Sequence, residues 1–233
     1  MNKLRHRIHE IFSEELLIEI ENVKDNPMYT DNNSKIEEIL ILLKDLGVIF
    51  VASGTNRMAI LINGYIFKIA LDSFGIKDNW NEFEMSTCLQ PYVTKTYECN
   101  GLIAVAEYVN LINKDEFYDN RDNIASILTI LSENYLFCDM GLTTKNYANF
   151  GYRATKEIVI LDYGYIYPLD DRIMYCKKCG NKLIWNKYFT KLVCSHCAKE
   201  HDPIEIRDRM RKVESTYKNV ENKKGPIKIV INR

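Results

Sequence analysis

The sequence predicts an α+β fold, in which a helical N-terminal part precedes a strand-rich middle and a small cysteine-bearing part. Apolar residues recur at helical spacing over residues 3–22 and 34–46. After Gly47 the pattern changes to short apolar runs typical of strands, and Asn63-Gly64 between two such runs predicts a tight hairpin. Two CxxC pairs then indicate a metal-stabilised module. With 233 residues, the chain is long enough for one or two domains with a buried core.

The composition is that of an ordinary soluble globular protein, with 46% hydrophobic and 27% charged residues. No apolar run approaches the roughly 20 residues needed to cross a bilayer, so we expect no membrane partner. The basic start of the chain runs into an acidic helical pattern and lacks the apolar segment of a secretory signal, which favours the cytoplasm.

The net charge of −1 is unevenly distributed along the chain. Residues 1–171 carry 15 Lys and Arg against 26 Asp and Glu, whereas residues 172–233 carry 16 against 6. Such a division indicates two functional parts, the basic one facing an acidic partner such as nucleic acid. Attraction between the two parts of the chain explains the division equally well, so both interpretations stay open.

Four of the seven cysteines form a CxxC-x14-CxxC pattern made by Cys176, Cys179, Cys194 and Cys197. Four thiolates around one point suit the tetrahedral coordination of Zn²⁺, and Gly180 permits the positive-φ turn that such a site requires. The strand-like residues 182–193 between the pairs complete a resemblance to a zinc ribbon, a small module that the metal stabilises. His196 is interpreted as a bystander, and the remaining cysteines as core residues: Cys88, Cys99 and Cys138.

A basic and aromatic stretch lies within this ribbon. Its lysines and aromatic residues are interleaved along residues 177–191, which suits a nucleic-acid surface. A solvated lysine face, with the aromatic rings packed on the rest of the protein, explains the same pattern and is the interpretation we favour. The members are Lys177, Lys178, Lys182, Lys187 and Lys191 with Trp185, Tyr188 and Phe189.

One cation stands alone in an apolar strand pattern, Lys68 in the run 66–70. A strand with one solvated face could carry this lysine without consequence. However, Lys68 lies in the hairpin that follows the small-residue turn around Gly54. A lysine that binds ATP phosphates would lie at this position. The helical segment downstream offers Glu84 as its ion-pair partner, with Glu82 as the alternative.

Three oxygen-bearing side chains are spaced around a predicted hairpin: Asp139, Asn149 and Asp162. Two carboxylates and an amide oxygen can hold Mg²⁺ and orient a hydroxyl toward a phosphate. A purely structural interpretation remains, in which Asp139 caps a loop and Asp162 pairs with Lys68.

With these parts in order, residues 47–170 resemble the protein-kinase-like fold, in particular compact phage-encoded and small-molecule kinase-like proteins. The resemblance implies a reduced bilobal domain with an appended four-Cys zinc ribbon. It implies that Lys68 and the loop at Gly54 bind ATP phosphates, with Glu84 as the helix partner of Lys68. The segment Glu107-Tyr108 and the following valine match the hinge, whose backbone would bond the adenine edge.

The same resemblance assigns the acidic residues. Asp139 matches the aspartate that accepts or orients the acceptor hydroxyl. Asp162, in Asp-Tyr-Gly, matches the magnesium-binding aspartate, and Asn149 the metal-binding asparagine. Lys68, Asp139 and Asp162 would thus form the catalytic set, with ATP and Mg²⁺ as cofactors beside structural Zn²⁺.

The sequence also departs from this family. The Gly-rich loop is represented by a single glycine. Asp139 and Asn149 lie ten positions apart rather than about five, which implies an insertion; Asn146 is the substitute if that alignment is wrong. No Ala-Pro-Glu motif follows Asp162, because the cysteine pairs begin fourteen residues later, so a platform for peptide substrates is largely missing.

Three functional interpretations stay open, and whether the protein is an enzyme is open with them. The first is an ATP- and Mg²⁺-dependent phosphotransferase with a protein or small-molecule acceptor, such as a phage factor acting on its host. The second is an inactive pseudokinase that binds nucleotide or a protein partner without turnover. The third is a zinc-ribbon protein that acts on nucleic acid or in transcription through its basic C-terminal part. The retention of Lys68, Asp139 and Asp162 favours the first, because an unpaired buried carboxylate is costly.

The predicted organisation has five parts. They are an N-terminal helical extension, a kinase-like N-lobe, a truncated C-lobe, the zinc ribbon, and a C-terminal helix with a basic tail: residues 1–46, 47–109, 110–172, 173–201 and 202–233. In the last part, Asp202 is the predicted N-cap with Pro203 at the first helical position, and residues 227–231 form a predicted strand.

Overall fold

The computed structural model describes residues 7–171 and 173–210, and it confirms the α+β fold class predicted from the sequence. The chain divides into two compact units by its internal contacts. The first unit comprises Met1–Ile124 with Thr144–Tyr165, and the second comprises Ala125–Thr143 with Ile166–Arg233. Within the described ranges, no helix has the length and apolarity that a membrane span requires.

Three helices open the first unit: α1 (Arg7–Ile11), α2 (Glu14–Asp25) and α3 (Asn32–Leu42). The continuous helix predicted over residues 3–22 is therefore interrupted, because the Ser13 side chain caps α2 by accepting a hydrogen bond from the Leu16 N–H. The apolar stripes of these helices join the core of the sheet that follows, in which Ile20 and Ile39 are fully buried.

Five strands and one helix form the next part of the first unit: β1 (Ile49–Ser53), β2 (Arg57–Ile62), β3 (Tyr65–Ala70), α4 (Ser73–Cys88), β4 (Thr96–Cys99) and β5 (Ile103–Glu107). The strands make one antiparallel sheet in the order β1-β2-β3-β5-β4. Asn63 and Gly64 both have positive φ, which confirms the tight hairpin between β2 and β3. The Asp72 side chain caps α4, which packs against β3, β5 and β4.

The remaining elements are given in chain order: β6 (Asn110–Leu111), α5 (Lys114–Asp119), α6 (Arg121–Ser132), β7 (Tyr135–Phe137), β8 (Phe150–Tyr152), β9 (Ile158–Ile160), β10 (Ile166–Pro168), β11 (Leu183–Trp185), β12 (Leu192–Cys194) and β13 (Glu200–His201).

The hairpin β8–β9 pairs with β6 in a three-stranded sheet of the first unit. It is also bonded to the segment after α4, because the Thr94 N–H donates to the Ile160 carbonyl and the Ile160 N–H donates to the Tyr92 carbonyl, both at 2.9 Å. These backbone bonds fix the hairpin, and the residues that follow β9, to the unit that contains the five-stranded sheet.

The second unit contains the ribbon. In it β7 pairs antiparallel with β10, and β11, β12 and β13 form a three-stranded sheet. One core joins Leu136 of β7 to ribbon residues such as Leu192. Residues 203–210 are helical, and Asp202 accepts a hydrogen bond from the Ile204 N–H at 2.9 Å, which agrees with the predicted N-cap. The strand predicted at residues 227–231 and the rest of the basic tail lie outside the described residues.

Candidate functional site

A buried ion pair joins β3 to α4. Lys68 Nζ donates to Glu82 Oε2 at 2.6 Å and to the Leu161 carbonyl at 2.7 Å. The Glu82 side chain has no exposed surface, whereas Glu84 is exposed. The expectation that Glu84 is the partner of Lys68 is therefore wrong, and Glu82, its alternative, forms the pair. Two residues turn a helix by roughly 200°, so these glutamates cannot share one face of α4.

An arginine that was not predicted from the sequence bonds the same glutamate and also Asp162. Arg57, the first residue of β2, donates from Nη2 to Glu82 Oε1 at 2.8 Å and to Asp162 Oδ1 at 2.7 Å. Its Nη1 donates to Asn79 Oδ1 at 3.2 Å, and only 8% of the residue is exposed. Burial alone would lower the pKa of Arg57, but the charges of Glu82 and then of Asp162 outweigh burial and raise it. One glutamate is thus bonded to two cations.

Asp162 lies two residues after the end of β9, at the edge of this cluster. Its side chain is 48% exposed, although Arg57 beside it is buried. Burial of the remainder would raise the pKa of Asp162, but the charges of Arg57 and Lys68 outweigh it and hold that pKa below its ordinary value of 3.8. The cluster therefore presents one half-open carboxylate in its ionised form.

The turn between β1 and β2 is tied to the same cluster. Asn56 Nδ2 donates to Asp78 Oδ2 at 3.2 Å and to the Tyr165 hydroxyl at 2.8 Å. Gly75 of α4 lies so close that a Cβ there would be 2.2 Å from the Asn56 carbonyl oxygen. Burial is the main cause that raises the pKa of Asp78. The turn, α4 and the Asp-Tyr-Gly segment are thus packed as one assembly.

Backbone hydrogen bonds connect Gly54 and Asn149 to neighbours of this cluster. The Gly54 N–H donates to the Arg57 carbonyl at 2.8 Å and closes the turn, and a Cβ at Gly54 would meet only that carbonyl, at 3.9 Å. Asn149 is placed opposite the residue before Asp162, because the Leu161 N–H donates to the Asn149 carbonyl at 2.9 Å. The Asn149 N–H in turn bonds the Asn146 carbonyl at 3.0 Å, and which of the two amides would meet a metal stays a prediction.

The predicted hinge begins at the end of β5. The Glu107 N–H donates to the Lys95 carbonyl at 2.8 Å, and its carboxylate accepts from Arg153 Nε at 3.0 Å. Arg153 also donates to the carbonyls of Pro91 and Val93, each at 2.9 Å, which fixes the hinge to the loop before β4. The Glu107 N–H is therefore committed within the fold, whereas Tyr108 is exposed, and the role of this segment as a hinge stays a prediction.

Asp139 belongs to the second unit, where it is exposed and follows β7 by two residues. The other proposed catalytic residues, Lys68 and Asp162, belong to the first unit. The role of Asp139 as the residue that orients an acceptor stays a prediction.

The four patterned cysteines converge in the second unit. The Sγ atoms of Cys176, Cys179, Cys194 and Cys197 all lie within 4.8 Å of one another. Individual Sγ–Sγ separations of 3.3 to 3.7 Å are close to the roughly 3.8 Å expected for thiolates tetrahedrally bound to zinc. Gly180 has φ of 72°, as predicted. The cluster can therefore hold a metal such as zinc.

The surroundings of Cys179 favour its thiolate form. Hydrogen bonds from the backbone and then the side chain of Asn181 lower the pKa of Cys179 to about 6. Of the other cysteines, Cys88 is exposed, so the prediction that it is a core residue is wrong. Cys99 and Cys138 are partly buried, and burial raises the pKa of Cys99 to about 11.

The first unit offers a different set of donors for Mg²⁺. A hard cation prefers carboxylate and amide oxygens, which Asp162 and Asn149 could supply. In the observed arrangement, however, Asp162 Oδ1 already accepts from the Arg57 guanidinium at 2.7 Å. A fixed positive charge at hydrogen-bond distance from the intended ligand disfavours a dication. These residues, as arranged, do not fit the magnesium site that the sequence predicts.

Comparison with known proteins gives similarities of fold only. No protein-family model matches the chain, and no curated protein matches it. The Rio2 kinase–ADP/Mg²⁺–phosphoaspartate complex from Chaetomium thermophilum is 12% identical, with 72% of this chain and 77% of that chain covered and a TM-score of 0.40. A variant of aminoglycoside 2′-phosphotransferase-IIIa in complex with GDP is 13% identical, with 60% and 74% covered and a TM-score of 0.37.

A third solved structure, WbdD with a kinase inhibitor, is 12% identical with a TM-score of 0.34 and covers 51% of this chain. This chain spans a third of the length of WbdD, 33%. These neighbours are kinase-like proteins of low similarity to this chain.

Proposed function

We propose that this protein binds a nucleoside triphosphate through its first unit and acts as a phosphotransferase. The observation that carries the proposal is the buried pair of Lys68 and Glu82 next to the ionised, half-open Asp162. Lys68 is held by a buried glutamate and bonds the carbonyl of Leu161, the residue before Asp162. A lysine–glutamate pair beside such an aspartate is the arrangement that protein-kinase-like enzymes use to position phosphates.

The number of hydrogen-bond donors on Lys68 supports a phosphate as its ligand. An ammonium group has three N–H donors, and Glu82 and the Leu161 carbonyl use two of them. The third is left for a phosphate oxygen. Glu82 holds the ammonium group in position, so the phosphate meets a preorganised cation.

The proposed reaction transfers the γ-phosphoryl group of the nucleotide to an acceptor hydroxyl. An acceptor hydroxyl attacks the γ-phosphorus, an oxygen–phosphorus bond forms, and the bond from that phosphorus to the bridging oxygen breaks, which releases the nucleoside diphosphate. The proton of the acceptor hydroxyl passes to a general base, a role that the resemblance to protein-kinase-like proteins assigns to Asp139. The acceptor is a small molecule or a protein.

A second candidate function is nucleotide binding without transfer. The contact between Arg57 and Asp162 favours it, because the carboxylate that would organise a metal is already engaged. The two candidates share the nucleotide site and differ only in turnover.

Both are tested by incubating the zinc-loaded protein with ATP labelled in the γ-phosphate. Label transferred to the protein or released as phosphate, and lost in Lys68→Met, supports the phosphotransferase. Lys77→Met, an exposed lysine on α4, is the matched control. Bound ATP without transferred label supports the second candidate, and turnover that persists unchanged in Lys68→Met contradicts the site.

For the four-cysteine cluster we propose structural Zn²⁺. Four thiolates leave no open coordination position for a substrate. One cysteine pair precedes β11, and the other lies at the end of β12 and just after it. The metal would thus fasten a ribbon whose own core is small.

A further inference from the structure

Arg57 places a positive charge directly beside Asp162, the residue to which the resemblance assigns Mg²⁺. Its guanidinium lies 2.7 Å from Asp162 Oδ1 and 2.8 Å from Glu82 Oε1. The Nη2 atom makes both contacts, so one nitrogen bridges the carboxylate of α4 and the carboxylate after β9.

The charges around Arg57 are nearly balanced without a further ion. Three carboxylates meet here, those of Asp78, Glu82 and Asp162, and two cations face them, Arg57 and Lys68. A dication added at Asp162 would be repelled by the guanidinium at short range. If Arg57 were neutral, the same carboxylates would face one cation only and would attract a metal.

Packing holds Arg57 in this position. The side chain is 9% exposed, and Asn79 accepts a further hydrogen bond from Nη1 at 3.2 Å. A Cβ at Gly164 would come within 3.4 Å of Nη2, so the backbone of the Asp-Tyr-Gly segment also lies close to the guanidinium. Arg57 is bonded to three acceptors and directly follows the β1–β2 turn. Asn56 ties that turn to Asp78 and Tyr165.

We propose that Arg57 is the resident cation of Asp162 and takes the place of a divalent metal there. Phosphates that enter this site meet Arg57 and Lys68 directly, and no metal ion binds Asp162 in the folded protein. The statement that phosphates meet Arg57 and Lys68 rests on the proposed function. The statement that no metal ion binds Asp162 does not. Guanidinium groups suit this role because their charge is permanent and their donors match oxygen anions in pairs.

The test uses Mn²⁺ alone as the probe, on protein whose cysteine cluster has been saturated with zinc. Bound Mn²⁺ is counted from the loss of the free-ion signal in electron paramagnetic resonance. The wild-type protein and Asp162→Asn are expected to bind Mn²⁺ equally weakly. Arg57→Gln is expected to gain one site with an affinity higher by about tenfold or more, and Arg57→Gln combined with Asp162→Asn to lose it again.

Arg207→Gln is the matched control, because Arg207 bonds its neighbour Asp208 and belongs to the second unit. Wild-type Mn²⁺ binding that Asp162→Asn abolishes would overturn the proposal, and this comparison needs no Arg57 variant to fold. Equal binding in Arg57→Gln and the wild-type protein would overturn it as well. Since no nucleotide is present, the result is independent of whether the protein binds ATP.

Discussion

Lys68 donates a hydrogen bond of 2.6 Å to Glu82, a carboxylate that the fold removes completely from solvent. The other oxygen of Glu82 accepts from Arg57, so two cations of neighbouring strands depend on one side chain of α4. Buried charges are stable only when they are paired and hydrogen-bonded. Glu82 therefore contributes both to the stability of the first unit and to the position of the lysine proposed to bind a phosphate.

The substitution Glu82→Gln should destabilise the protein by about 3–5 kcal/mol, because it leaves two buried cations facing a neutral amide. The measurement is the free energy of unfolding in urea. Glu84→Gln, two positions along the same helix but exposed, should change that energy by less than about 0.5 kcal/mol. Equal effects of the two substitutions would contradict the assignment of Glu82 as the partner.

Gly75→Ala should be destabilising although alanine is the better helix former by about 1 kcal/mol. A Cβ at Gly75 would lie 2.2 Å from the Asn56 carbonyl, which is backbone and cannot rotate away. Gly54→Ala provides the control, since a Cβ there meets nothing closer than 3.9 Å. Thermal unfolding of both variants checks the prediction, and a stabilised Gly75→Ala would show that the turn does not pack against α4 in solution.

The contribution of Asp162 to stability should depend on pH. Its pKa is held below 3.8 in the folded state, so the carboxylate stabilises the fold above that pH and stops doing so as the pH falls through the folded value. Wild-type protein should therefore be more stable than Asp162→Asn at pH 7. The difference should be constant down to about pH 5 and should close below about pH 4.

Unfolding midpoints at several pH values measure this difference, with the exposed Asp45→Asn as control. A difference between wild type and Asp162→Asn that widens on acidification would have the wrong sign for an aspartate held by Arg57.

Removal of zinc should unfold the ribbon. Cys176→Ser is expected to lower the bound zinc from about one ion per chain to none, and to expose Trp185, which stacks on Phe137 at 5.2 Å in the second unit. Metal analysis and tryptophan fluorescence report the two effects. Cys88→Ser, at an exposed cysteine outside the cluster, should change neither. Full zinc content in Cys176→Ser would rule out the four-thiolate site.

Much of the fold could be predicted because its signals are local. The Asn63-Gly64 turn, the CxxC pairs and the Asp202 cap each act through their own backbone, so a short stretch of sequence is sufficient. The break between α1 and α2 was not predicted, because the apolar spacing continues across it. The hydrogen bond of a single side chain, that of Ser13, sets the start of α2.

The site was predicted less completely because α4 reverses the usual rule of burial. Its buried face is largely polar, while Phe74, Trp80 and Phe83 are exposed. Apolar periodicity therefore gave no reason to prefer Glu82 over Glu84. The signal that could have revealed the site is polar residues at helical spacing, Asp78, Asn79, Glu82 and Ser86, together with an arginine at the start of a strand.

The most direct test of the central claim is calorimetric titration of the zinc-loaded protein with ATP. The wild-type protein should bind one nucleotide, and Lys68→Met should weaken binding by roughly 10- to 100-fold through the loss of one charge-assisted hydrogen bond. Lys77→Met should bind as the wild type does, and circular dichroism should show that both variants are folded. Equal ATP affinity in Lys68→Met and Lys77→Met would contradict a phosphate site at Lys68.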